Sequence, residues 1–292
     1  MSAAALAAPR YRVQRRIAAA GSALLGMLLL VWSLTPVYNM FLIALDPEEG
    51  EIEFDGNIYP PEISFQGFAD ALSQEARYLE EFWHQFGNSI YLGLLTMLLT
   101  VLIASLASFA VSRMRLKRGQ WLVNAGLLTY TVPASCLVIP LYRIMHGYGL
   151  GDNPWAVIAA QVTFAAPFAV VILQQYSRLI PTELDEAARL DGASSLQLYL
   201  RIYLPLMLPA LGVVASYALV IAWNDYIYQF VLLTSSRHTT VSIMQAQLFT
   251  DTDAPWNAMM AAAIIYAAPP IAVFFLLHRY VSGGLRFGRA IR

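Results

Sequence analysis

The chain has 292 residues, of which 58% are apolar and only 13% charged, with a net charge of -1 and a mean hydropathy of +0.55. A soluble chain of this length needs more charge to keep its surface wet, and so neutral a balance offers no basic field for nucleic acid. The single cysteine, Cys136, excludes an internal disulfide and any cysteine-built metal site, which leaves an all-α integral membrane protein as the reading.

Residues 1–16 are small and basic, with Arg10, Arg12, Arg15 and Arg16, and predict a cytoplasmic N-terminus. The run 17–45 carries no charge. It is too long for the apolar core of a cleavable signal and exceeds the roughly 20 residues a bilayer-spanning helix needs, so it reads as a retained first span. Residues 46–87 are acidic, with eleven carboxylates from Asp46 to Glu81 against a lone Arg77, and Pro60 and Pro61 at the centre. They predict a solvated extracytoplasmic loop, with docking of a soluble partner as the sharper use. Phe82 and Trp83 read as interfacial aromatics at the mouth of the second span.

The remaining spans fall within residues 88–280, at about 89–111, 121–145, 154–173, 206–233 and 258–280. In the second, Ala104, Ser108 and Ser112 form a small-residue stripe that lets another helix approach. Pro133, Pro140, Pro167, Pro269 and Pro270 predict kinks at membrane depth. Arg113, Arg115, Lys117 and Arg118 mark one inner loop, and the glycine-rich basic segment 281–292 a cytoplasmic tail. Of the 18 basic residues only Arg77, Arg143 and Arg237 fall on outer segments, which supports six spans with both termini inside.

Between the fourth and fifth spans lies a charged stretch, Pro181 to Leu211. Thr182 with Asp185 three residues on predicts a capped helix, with Glu183 and Glu186 in its first turn, where the helix dipole favours acid. Gly192 ends that helix as a left-handed residue, and Ser194 with Gln197 opens a second by a capping box. Pro205 and Pro209 are expected to interrupt the second helix. Leu184, Ala187, Ala188 and Asp191 share one face at helical spacing, a pattern suited to lying in the groove of another protein.

Glu186-Ala187-Ala188, Asp191-Gly192-Ala193, Ile202 and Leu204-Pro205 together resemble the EAA loop of ABC importer permeases, here within 175–205. The resemblance runs from about Asn88 to the C-terminus. Ile139-Pro140-Leu141-Tyr142 and Trp223-Asn224-Asp225 are similar to the carbohydrate branch, kin of the smaller maltose permease subunit. It implies the type I importer permease (MetI-like) fold in a bacterial inner membrane. It implies a second homologous permease as heterodimer partner, two ABC ATPase subunits, and an extracytoplasmic solute-binding protein. It assigns ATPase coupling to Glu183, Glu186, Ala187, Ala188, Asp191 and Gly192. ATP and Mg belong to the partner ATPases. The residues agree on that point, because Lys117 is the only lysine and no GxxxxG precedes it, so the chain lacks a phosphate-binding P-loop.

Within the bilayer, Asp225 is costly unless it faces a cavity or a polar partner. It reads either as pathway lining, with Asn224, Trp223 and Tyr226 beside it, or as an interhelical hydrogen bond. Asn88, Tyr130 and Tyr142 are further pathway candidates. His84, His146, His238 and His278 are scattered, and neither a metal site nor a membrane protease is expected. From the residues alone, the alternative function is a stand-alone secondary transporter driven by an ion gradient, which calls for inverted repeats.

Overall fold

The computed structural model describes residues 4–47, 59, 62–74, 79–114, 116–248 and 255–290. The proline break at Pro60 and Pro61, most of the acidic residues, Arg77 and Arg115 lie outside them. So do the side chains of the basic tail. All regular structure among the described residues is helical. The chain divides into two units, residues 1–79 with 253–264, and residues 80–252 with 265–292.

In the first unit, α1 (Ala4–Ala44) holds the predicted first span, and its apolar part is exposed from Ile17 to Tyr38, as a lipid-facing rod would be, while Ala44 at its end is buried. The acidic stretch is not wholly irregular. It contains α2 (Gln66–Ser73), which is capped by the left-handed Gln74. The amide of Ser64 donates to the Leu45 carbonyl at 2.9 Å, and Asn257 Nδ2 donates to the Asp46 carbonyl at 3.3 Å.

The second unit is built on α3 (Phe82–Ser112), α6 (Pro154–Ser177) and α9 (Leu204–Asn224), which pack against one another. The small-residue stripe explains how. Ala104 and Ser108 are fully buried, Ser108 Oγ accepts from Tyr203 OH at 3.0 Å, and Ser105 Oγ lies 2.7 Å from Tyr199 OH. Gly93 lets α3 approach α9 closely, because a Cβ there would sit 3.1 Å from both Leu219 and Trp223. α3 begins at Phe82, earlier than predicted, and Phe82 is buried beneath Trp83 and Phe86 rather than interfacial.

Three expectations about the spans are corrected. The third is not one kinked helix: Gly119–Thr131 and Ala134–Gly147 meet at 110°. α4 (Gly119–Leu127) passes through a 3-10 turn, Val132 is extended, and Pro133 lacks the N–H that would continue the helix into α5 (Ala134–Gly147). The fifth span does not run to Leu233. α9 stops at Asn224, Asp225 is extended, and α10 (Ile227–Leu232) is separate. Pro205 and Pro209 do not interrupt the helix. A π-helical turn at Tyr199–Tyr203 widens the backbone ahead of Pro205, and Ser195–Asn224 runs as one 30-residue span. α11 (Val241–Leu248) follows, and α12 (Trp256–Ala290) is helical across Pro269 and Pro270 and through the predicted tail to Ala290.

At one end of the second unit, Asp152 ties two turns together. Its Oδ1 accepts from the amides of Thr234 at 2.8 Å and Ser235 at 3.1 Å, with His238 Nδ1 at 3.6 Å.

Candidate functional site

The connection between α6 and α9 holds α7 (Glu183–Leu190) and α8 (Ser195–Leu198). α7 ends in a complete Schellman motif: the Ala193 amide donates to the Ala188 carbonyl at 2.9 Å, the Gly192 amide to the Arg189 carbonyl at 3.1 Å, and Gly192 has φ +81°. The capping box at Ser194 and Gln197 is formed in both directions. The cap at Thr182 is not. Thr182 precedes α7 without a side-chain hydrogen bond, and Asp185 turns inward instead. Its Oδ2 accepts from Arg113 Nη1 at 3.0 Å, with the two residues 8% and 7% exposed. Arg113 Nη2 also donates to the carbonyls of Ser177 at 2.9 Å and Ile180 at 3.0 Å, and Nε to Ser177 Oγ at 3.2 Å. One guanidinium at the end of α3 thereby holds the end of α6 and α7 together.

That anchor sorts the residues of α7. Asp185 faces the core, and Ala188 is half-buried against the cluster of Phe109, Leu198 and Tyr203. Glu183, Leu184, Glu186, Ala187, Asp191 and Gly192 are exposed, and Leu190 is 89% exposed. Ala188 therefore does not share the open face expected for it, and Leu190 joins that face. α8 is not free either, because Leu198 and Tyr199 are buried against α3.

A second site lies at the end of α9. A cavity of about 290 Å³ is lined by Gln161, Phe164, Ile221, Asn224, Asp225 and Tyr228. Thr96 Oγ1 donates to Gln161 Oε1 at 2.8 Å, and Gln161 Nε2 donates to Asp225 Oδ2 at 2.8 Å. Asp225 Oδ1 accepts from the Tyr228 amide at 3.3 Å, and the Phe164 and Tyr228 rings stack at 5.2 Å. The Asp225 carboxylate is hydrogen-bonded between helices and also lines open space. Gln161, Phe164 and Tyr228 are absent from the sequence reading. A glutamine inside an otherwise apolar run was the available signal for the first.

The other pathway candidates are placed differently. Trp223 is buried, stacks on Tyr266 at 4.7 Å, and donates from Nε1 to its carbonyl at 3.2 Å, so its ring face is taken. Tyr226 stacks on Phe230 at 5.2 Å, away from the residues lining the cavity. Asn88 Nδ2 donates to the carbonyls of Arg237 at 3.0 Å and Thr239 at 2.9 Å, pinning the segment before α11. Tyr130 OH donates to the Phe164 carbonyl and lies 3.4 Å from Tyr217 OH, and Tyr142 packs on His146 at 4.9 Å. Among the described residues no three or more His, Cys, Asp or Glu side chains come together as a metal site would require.

The sequence pattern of the family described as "Binding-protein-dependent transport system inner membrane component" matches residues 100–287. The chain is 30% identical over 262 residues to the inner membrane ABC transporter permease protein YcjP of Escherichia coli (strain K12), spanning 89% of this chain and 92% of that one. It is 29% identical over 269 residues to the trehalose transport system permease protein SugB of Mycobacterium tuberculosis, spanning 91% and 95%. With the diacetylchitobiose uptake system permease protein DasC of Streptomyces coelicolor it shares 27% over 253 residues, 87% and 90% of the two chains. Its fold matches a chain in the crystal structure of a bacterial ABC transporter involved in the import of the acidic polysaccharide alginate, with a TM-score of 0.70 and 24% identity over 92% of this chain and 98% of that one. These likenesses give no support to a transporter driven by an ion gradient. The chain belongs to the inner membrane components of binding-protein-dependent transport systems: it is a permease subunit of an ABC importer, not an enzyme, and ATP hydrolysis belongs to its partner ATPases.

Proposed function

We propose that this chain forms half of the pathway of an importer for a sugar or sugar derivative, paired with a second, homologous permease. Both termini are cytoplasmic, and the acidic loop within 46–87 faces an extracytoplasmic binding protein. The sugar assignment rests on relatives named for trehalose and diacetylchitobiose, and on a cavity whose lining suits a polyol. Phe164 and Tyr228 offer ring faces there, and Asn224 and Asp225 offer hydrogen-bonding groups.

The loop 175–205 couples that pathway to two ATPase subunits. Leu190 and Ala187 seat in a groove of the ATPase, Glu183, Glu186 and Asp191 make polar contacts at its rim, and Gly192 sets the turn. Ala188 and Asp185 hold α7 to the permease. ATP closes the ATPase pair, the grooves carry α7 with them, and the spans move between inward-open and outward-open states. Ligands drive this only through different affinity for the two states. The observation that carries the reading is an exposed leucine on a short helix clamped to the bundle from beneath by Arg113.

The test places a cysteine at Leu190 in a chain with Cys136 replaced by serine, co-expressed with candidate ATPases. Crosslinking of L190C to an ATPase is the expected result. Labelling of that cysteine by a membrane-impermeant maleimide in intact cells, without any crosslink, overturns the assignment.

A further inference from the structure

A second cavity, of about 360 Å³, opens where α3 and α6 end and α4 begins, beside the coupling loop. Arg113, Gln120, Gln174, Arg178 and Thr182 line it, and among the described residues no carboxylate does. Gln174 is 4% exposed, yet its Nε2 has no hydrogen-bond partner among the described residues. A buried amide donor left without an acceptor is unfavourable, so the group points to a ligand that accepts. Arg178 is exposed at the same cavity, and its guanidinium makes no ion pair or hydrogen bond among the described residues. The Thr182 hydroxyl, not used as a cap, is a further open donor. Arg113 differs, because Asp185 balances its charge, two carbonyls accept from Nη2 and Ser177 Oγ accepts from Nε. It shapes the wall while Gln174, Arg178 and Thr182 remain available.

We propose that this cavity binds a phosphate group, with Gln174 and Arg178 as its principal ligands and Thr182 as a third donor. A tetrahedral anion with several acceptor oxygens satisfies a carboxamide N–H, a guanidinium fork and a hydroxyl at once. The phosphate comes from an anionic phospholipid. The cavity lies at the ends of two apolar spans, and Leu116, Trp121 and Leu122, flanking the lining residue Gln120 in the chain, expose large apolar surfaces, as residues at a bilayer boundary do. On the orientation proposed above, the inner leaflet supplies the lipid. The bound headgroup bridges α6 to the start of the coupling loop. This assignment is separate from the coupling role, and each can fail without the other.

Native mass spectrometry of the assembled permease–ATPase complex in detergent tests it, with phosphatidylglycerol, phosphatidylcholine and inorganic phosphate each titrated in turn. Wild-type complex should retain phosphatidylglycerol in preference to phosphatidylcholine. The R178A variant, altered at an exposed position, and the Q174L/R178A pair should weaken that binding about tenfold or more, while R178K restores it. Saturable binding of inorganic phosphate with the same variant dependence supports the phosphate site and assigns its source to the cytosol. Equal retention of every ligand by wild type and R178A, in complexes that elute alike, overturns the proposal.

Discussion

Arg113 and Asp185 form an ion pair of 3.0 Å between the end of α3 and the underside of α7, with side chains only 2% and 12% exposed. Removing one partner of a buried pair leaves an uncompensated charge. The Asp185→Ala variant should lose about 3 kcal/mol of stability, the low end of the usual range because two carbonyls still accept from Arg113. Unfolding of the purified complex in detergent measures the loss. The substrate-stimulated part of ATP hydrolysis should fall further than the basal part, since α7 then moves without α3. Unchanged stimulation would show that α7 transmits force by some other attachment.

Gly192 separates backbone strain from steric clash. A Cβ at this position meets nothing within 4 Å, so only its positive φ opposes substitution. Gly192→Ala should cost about 1–2 kcal/mol locally, and a β-branched Gly192→Val more. The valine variant should insert normally and lose uptake. Normal sugar-stimulated ATP hydrolysis in G192V would count against the turn as part of the coupling device.

Asp225→Asn probes the membrane cavity. Asparagine keeps the volume but turns one acceptor into a donor facing Gln161 Nε2, now 2.8 Å from Asp225 Oδ2. Transport Km should rise about tenfold, the equivalent of one charge-assisted hydrogen bond of roughly 1.5 kcal/mol, with the complex still assembled. An unchanged Km with loss of assembly would reduce Asp225 to an interhelical tie.

Asp152 gives the fold a pH-dependent joint outside the spans. Burial alone would raise its pKa, but hydrogen bonds from Ser235 and the Thr234 amide, with His238 nearby, outweigh it and lower the value from 3.8 to about 2. A depressed acid contributes stability that is complete above the unfolded pKa and is lost as pH falls through the folded one. The tie to Thr234 and Ser235 should therefore hold above pH 3.8 and release toward pH 2. Emission from neighbouring Trp155, read against an Asp152→Ala control that lacks the acceptor at every pH, measures it.

Short-range signals were legible in the residues alone. The capping box at Ser194, the left-handed Gly192 and the uncharged runs of α1 and α6 depend on neighbours in sequence, and they appear as read. Prolines at membrane depth were not legible as kink, break or passage. Pro133 sits at a 110° bend, whereas Pro205 is absorbed by a π turn and Pro209 lies within a helix. The same missing N–H has three outcomes because packing decides which one survives. Thr182 lost its capping role for a similar reason, since Arg113 claims Asp185 from 72 positions earlier in the chain. Trp223 looked available to sugar only while its partner Tyr266 was out of view.

The unbroken run from Ser195 to Asn224 has a mechanical consequence. Thirty residues at 1.5 Å each make a rod about 45 Å long, starting just after the Gly192 turn and ending beside Asp225. A lever of that length turns a tilt of about 5° at its foot into roughly 4 Å of travel at its tip. The widened turn ahead of Pro205, near its foot, is a place where the stroke can be softened.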